Sequence, residues 1–402
     1  MPAKAENIFW ARALGLWLFT VLAASFSGDF LFPEDFSSRA ALLLAAIVWP
    51  FFLLVLSGQF LRFRFHGLAM PLALTGFFLC AFASCAVSVQ PWLSIAYVGL
   101  TLVAALVVLH LNAILSSEDY ATGFRWYSGL AAALMLGFLS YFHEPGVRFG
   151  LTAGISPNAI ALISISIALC GMSFKGLVVR AVILAIVGAV IYATGSRTSA
   201  VATVAGISLF FLLDKRQSAG RRYAIISLLA GAGTILAFAH SQEMWAAINS
   251  FLLLDDPYRG IGTGLSGRTV AWGEAWRLFL QSPLVGVGFR AHEPLMRYAT
   301  SSHNGYIALL AEVGIFGFLF ALAILVIGGI RLVSYYQKAE REATPGLLLS
   351  IFIAYLLLAG AERYFFNAGN PTSLLFMLTV MQALPPRRHH GIVPGASSRV
   401  AK

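Results

Sequence analysis

Apolar runs of membrane-spanning length alternate with short polar breaks over nearly the whole of this chain. They fall at roughly 9–27, 39–57, 67–89, 91–114, 124–142, 153–173, 177–194, 199–213, 223–240, 304–330, 345–361 and 371–384. Most approach the ~20 residues that a helix needs to cross a hydrocarbon core, while 199–213 and 371–384 are short. The pattern predicts an all-α polytopic membrane protein with about twelve transmembrane helices. One long interruption, Ser241 to Ser302, is too small for an independent enzyme domain and predicts short helices lying on the membrane. The chain thus divides into spans 1–9 (residues 1–240), a large loop (241–303), spans 10–12 (304–384) and a basic tail (385–402). The first run has the basic-then-apolar look of a signal peptide. It is too long for one, and eleven more runs follow, so a retained span is expected.

Composition agrees with that reading. Of 402 residues, 59% are hydrophobic and 11% charged, against about 25% charged in soluble proteins. The mean hydropathy is +0.82. A net charge of +10 would fit a nucleic-acid partner, but the basic residues are scattered among apolar spans rather than gathered in a patch, so no nucleic acid is expected. With the N-terminus in the cytoplasm, 18 of the 27 basic residues face inward, which is the positive-inside bias. The outward set is arginine only: Arg39, Arg148, Arg197, Arg259, Arg268, Arg277, Arg290, Arg297 and Arg363. Guanidinium grips phosphate in a bidentate fork where ammonium offers a point charge. Cys80, Cys85 and Cys170 lie inside apolar runs and read as small core residues.

Chemistry concentrates in the loop, where Arg259, Arg268, Arg277, Arg290 and Arg297 precede His303 at the mouth of the tenth run. Gly267 to Gln281 reads as a helix ended by Ser282-Pro283. At 3.6 periodicity, Arg268, Trp272, Ala275, Trp276 and Phe279 share its buried-facing stripe, and Arg277 points away. Paired tryptophans suit the headgroup level, where Arg268 could also serve as a plain snorkelling anchor. With Ser301-Ser302 as cap, His303 would sit in the first turn of the tenth span. The helix dipole there disfavours a charged imidazole and leaves a neutral one able to accept a proton, unless the residue merely fills an interfacial polar position. His143, His240 and His292 lack that placement, and replacing His292 is expected to have little effect.

Arg197 lies in a tight outward hairpin, Thr194-Gly195-Ser196-Arg197-Thr198-Ser199, of the kind that lines a cavity at a membrane surface. Glu312, two turns into the tenth run, requires an arginine partner and is read as structural. Gly286-Val287-Gly288 follows no βαβ pattern and is expected to permit a sharp turn. Asp255-Asp256-Pro257 reads as a solvated turn, and no Cys/His set has zinc spacing, so chemistry without metal or cofactor is expected.

Three strings together resemble the O-antigen ligase/polymerase family. They are Gly267-Arg268-x-x-x-Trp272, Pro283-Leu-Val-Gly286-Val-Gly288, and His303-Asn304-x-Tyr306 leading to Leu310-x-Glu312-x-Gly314-x-x-Gly317. The Gly195-Ser196-Arg197-Thr198 hairpin looks like the family's other recurrent element. The resemblance implies a bacterial inner-membrane glycosyltransferase of GT-C-type architecture with its large loop and active site facing the periplasm. It would move a glycan from undecaprenyl pyrophosphate to a sugar hydroxyl of lipid A–core. By the same resemblance, Arg197 and Arg268 hold the pyrophosphate, His303 assists the acceptor hydroxyl, and Arg290, Asn304 and Tyr306 contact substrate. The compact chain and the late position of its loop favour a ligase over an O-antigen polymerase or a protein O-oligosaccharyltransferase. A twelve-span secondary transporter is the reading from another class, but no internal repeat is visible and the charges cluster at one surface.

Overall fold

A computed structural model of the chain describes residues 3–31, 36–58, 67–218 and 268–382, together with positions 220 and 227. The expected ninth span, the first half of the loop with Asp255, Asp256 and Arg259, and the basic tail lie outside the described residues. Within them the protein is all-helical: α1 (Ala3–Leu31), α2 (Phe36–Leu56), α3 (Ala69–Cys85), α4 (Pro91–Ile114), α5 (Ser117–Phe142), α6 (Pro157–Gly171), α7 (Leu177–Thr194), α8 (Arg197–Leu213), α9 (Arg268–Gln281), α10 (Gly305–Lys338), α11 (Thr344–Ala359) and α12 (Pro371–Val380). All of the expected spans except the ninth thus coincide with helices. By length and composition α1, α2, α4, α7 and α10 are able to cross a membrane, and α3, α6, α8, α11 and α12 are shorter apolar helices.

Why these runs pack as they do follows from which faces are apolar. Helix α12 is buried on all sides and contacts α1, α4, α6, α10 and α11, so it forms the centre of the bundle. Its 10 residues rise only ~15 Å, about half a hydrocarbon core. It is preceded by the irregular, largely buried segment Gly360–Asn370. Non-helical backbone in that setting must have its polar groups satisfied by protein. Asn304 Nδ2 donates to the Gly360 carbonyl (3.1 Å), Thr101 Oγ1 to that of Phe366 (3.2 Å) and Ser25 Oγ to that of Gly369 (3.0 Å), while Ser373 Oγ accepts from Asn367 N–H (2.8 Å). Residues from α1, α4 and the start of α10 therefore hold one loop in shape.

Helix α10 is broken. Gly314 has φ 64° and ψ −172°, which is non-helical, so residues 305–313 and 315–338 are two helical pieces. The turn before it repairs the break. Val287 and Gly288 N–H donate to the Ala311 and Glu312 carbonyls (2.9 and 3.1 Å), and Ile315 N–H donates to Pro283 O (2.8 Å). Backbone meets backbone here: a Cβ at Gly286 would strike the Glu312 carbonyl, and one at Gly314 would strike the Leu284 carbonyl. The sharp turn expected at Gly286-Val287-Gly288 is present, with φ of 81° at Gly286 and 114° at Gly288. Its function is to stitch the polar loop onto the break.

Candidate active site

Three elements distant in sequence converge on one carboxylate. Arg268, the first described residue of α9, donates from Nη2 to Glu362 Oε1 at 2.9 Å and from Nη1 to Thr198 Oγ1 at 3.3 Å. His303 Nδ1 faces Glu362 Oε2 at 3.5 Å. Thr198 follows Arg197 in the first turn of α8, so the hairpin and the α9 arginine meet at one junction. Arg148 braces that hairpin, with Nε donating to the Thr194 carbonyl (2.7 Å) and Nη2 to Asn158 Oδ1 (3.2 Å). Side-chain exposure is graded: Glu362 is 10% exposed, Arg268 19% and His303 33%. The carboxylate is sealed while the imidazole remains reachable.

The N-cap of α8, Ser196, makes no side-chain bond to the helix backbone, and its Oγ pairs with Ser199 Oγ at 3.0 Å. A helix N-terminus beside arginines is suited to an anion.

Two expectations about local structure change here. His303 lies outside the first turn of α10: Asn304 is the N-cap, its side chain accepting from Tyr306 and Ile307 N–H, and the helix starts at Gly305. Asn caps as well as serine does and stands two residues nearer the apolar run than Ser302. The dipole argument for His303 therefore loses its geometric basis, and a carboxylate is its neighbour instead. The buried stripe of α9 is also displaced, comprising Ala271, Glu274, Ala275 and Leu278. Trp276 is exposed, and Arg268, Trp272 and Phe279 lie at the margin. The cause is Glu274, whose carboxylate turns inward to accept from Arg297 N–H (2.9 Å) and Tyr298 N–H (3.0 Å). Those backbone bonds, that to Tyr298 first, hold its acidity stronger than usual. Arg277, as expected, is not part of the Glu362 junction and reaches toward the Leu295 carbonyl at 3.5 Å.

The other proposed contact residues are engaged within the protein. Asn304 caps α10 and reaches Gly360, and Tyr306 OH donates to the Leu356 carbonyl at 2.8 Å. Arg290 stacks its guanidinium over the Tyr97 ring, 5.3 Å from the centroid. Among the described residues three non-glycine positions have positive φ, namely Arg290, His303 and Phe366. All three fall in the two irregular segments that frame the site, where strain of about 1–3 kcal/mol each is characteristically held for function.

A second charged cluster lies behind the first. Glu312 pairs with Arg363, as its burial demands, and also accepts from His292 Nδ1 at 2.7 Å. Arg363 reaches on to Glu293 at 2.8 Å. His292 is completely buried against Glu312, so its replacement is expected to act on stability. Burial pushes its imidazole toward lower pKa, nearby Arg363 adds to this, and the bond to Glu312 opposes both. A histidine with a lowered folded pKa stabilises fully above its unfolded value near ~6.5, and that contribution disappears as pH falls through the folded value. The thermal midpoint in detergent should thus drop on acidification from pH 7 to 5. In His292→Gln the slope should flatten and the midpoint at pH 7 should fall. Equal slopes in both proteins would remove His292 from the account.

Neither Glu362 nor Arg363 was singled out with its role by sequence pattern, since both sit in a buried loop without periodicity. The three cysteines are free, with Cys85 and Cys170 buried. Among the described residues no group of three or more His, Cys, Asp or Glu is placed to hold a metal ion. Compared with known families, residues 181–322 match the model described as O-antigen ligase, about a third of the chain, and so support the resemblance carried by the motifs. The matched stretch contains Arg197, Arg268, His303 and Glu312 and stops short of Glu362. No curated protein matched the chain.

Proposed function

We propose that this chain, which carries an O-antigen ligase family match over residues 181–322, transfers a glycan from undecaprenyl pyrophosphate to a sugar hydroxyl of lipid A–core. The observation that carries the reading is the Glu362 junction, where the arginine and the histidine singled out by the motifs share one carboxylate. In this mechanism Arg197, Arg268 and the N-terminal dipole of α8 neutralise the pyrophosphate, which makes it a competent leaving group without a metal. The acceptor oxygen attacks the anomeric carbon. The carbon–oxygen bond to phosphate breaks, its electron pair leaves with undecaprenyl pyrophosphate, and the hydroxyl proton passes to His303. One displacement inverts the anomeric centre.

Glu362 gives this scheme a positioning residue. It restrains Arg268 and faces Nδ1 of His303, which leaves Nε2 for the acceptor, the arrangement by which a carboxylate fixes an imidazole's orientation. The site would open to the periplasm from the bacterial inner membrane, with exposed Trp276 at headgroup level.

The lipopolysaccharide ladder of a deletion strain tests the assignment. Loss of all capped core, with lipid-linked polymer accumulating, is the expected result. Core capped by a single repeat unit would instead identify a polymerase, and an unchanged ladder with an unglycosylated protein would identify a protein transferase.

A further inference from the structure

Glu362 and Arg363 are consecutive residues of an irregular segment, and their side chains serve opposite neighbourhoods. Glu362 binds Arg268 and faces His303, whereas Arg363 binds Glu312 and Glu293. Glu293 is a wall of a cavity of about 650 Å³ that the donor scheme does not use. The cavity is also lined by Tyr97, Arg290, Arg297, Tyr298 and Thr300. Thr300 stands three residues before His303, so the cavity lies along the same loop as the imidazole.

Its chemistry is specific. Arg363 is shared between Glu312 and Glu293, and Arg290 lies close enough to both to offset the second carboxylate, so Arg297 gives the wall its net positive charge. Arg290 is held at φ 62°, a conformation that a non-glycine residue adopts at a penalty, with its plane against Tyr97 and its buried Nε lacking a hydrogen-bond partner. Tyr298, 81% exposed, adds a flat amphipathic surface of the kind that binds the face of a sugar ring. The backbone N–H of Arg297 and of Tyr298 is fixed by Glu274, so both side chains project from a restrained loop. Concave volume, two aromatic surfaces and a few convergent polar groups are the features of a ligand site.

We infer that this cavity binds a phosphate-bearing sugar of the acceptor, with Arg290 and Arg297 on the phosphate and Tyr298 against the ring. The assignment of this ligand to the acceptor rests on the glycosyl-transfer reading. Donor and acceptor would then be served by the two neighbouring side chains Glu362 and Arg363, with the cavity residue Thr300 three positions before His303.

Binding to the whole purified protein in nanodiscs tests this without requiring turnover. The probe is core oligosaccharide freed of its lipid, in phosphorylated form and after phosphatase treatment. Wild-type protein should prefer the phosphorylated form by about tenfold or more, a difference of about 1.4 kcal/mol. Arg297→Ala should abolish that preference, as should Arg290→Lys, and both should bind undecaprenyl pyrophosphate as wild type does. Arg297 is exposed, so its removal tests the idea even if Arg290→Lys folds poorly. Equal binding of the two oligosaccharides, or a preference that survives Arg297→Ala, overturns the proposal. So does displacement by equimolar inorganic phosphate, which marks a plain anion site, or by anionic phospholipid in the disc, which marks a headgroup site. Phosphate-selective binding without any glycan transfer would refute the catalytic reading and, with it, the acceptor role, while leaving a site for a phosphate-bearing sugar. Transfer without phosphate selectivity would do the reverse.

Discussion

His303→Ala should lower the transfer rate by about 10²–10⁴-fold, the usual worth of general-base assistance, while donor binding stays close to wild type. The side chain is 33% exposed and touches the protein's charged groups only through Glu362 among the described contacts, so truncation should leave the fold intact. Its place before the Asn304 cap also means that the start of α10 does not depend on it. Glu362→Gln gives the companion measurement. It keeps the shape but loses the charge, so kcat should fall less than in His303→Ala while the KM for acceptor stays close to wild type, because Glu362 orients the imidazole without being placed against substrate. The decisive readings are single-turnover rate and donor affinity, taken separately. If His303→Ala weakens donor binding yet transfers normally at saturating donor, His303 is a binding residue and the base lies elsewhere.

Arg268→Lys should reduce transfer by about 10²–10³-fold, as the loss of a preorganised donor at a developing charge does. The guanidinium makes two divergent contacts, to Glu362 and Thr198, and in the proposed complex must also meet phosphate. An ammonium can hold one of these groups well but cannot reproduce the fork. Arg277→Lys is the internal control on the same helix, because its 3.5 Å approach to the Leu295 carbonyl lies outside the junction. Transfer by purified protein from lipid-linked donor to lipid A–core reads both. Equal tolerance of lysine at positions 268 and 277 would exclude the phosphate clamp.

Much of this was legible in the sequence, and the reasons are physical. Long apolar runs can only be solvated by lipid or by one another, so the positions of α1, α2, α4, α7 and α10 follow from composition alone. Glu312 announced its own partner, since a carboxylate so placed is untenable without a cation, and Arg363 supplies it. Arg268 and His303 stood out because each borders an apolar helical run and lies in a string that resembles the family. Their common neighbour did not stand out. Glu362 belongs to a segment shaped by side chains from three distant elements, and such backbone has no period to read. The α9 stripe was misread for a related reason. Hydrophobicity ranks tryptophan above alanine, but the face that packs is selected by Glu274 bonding the loop beyond it. His292 was passed over because nothing local marks a histidine that pairs with a residue 20 positions away.

The stitch at Gly314 bears on how this protein can be taken apart. Hydropathy invites a cut near residue 303, which would separate a polar loop from the helix that follows. The N–H groups of Val287 and Gly288 find their acceptors beyond that cut, at Ala311 and Glu312, and Pro283 O accepts from Ile315. A fragment ending at 303 would carry two orphaned donors and one orphaned acceptor on its most sharply turned segment. The loop and the first turns of α10 are therefore one folding unit, and the limit that hydropathy draws at residue 303 runs through the middle of a supersecondary structure.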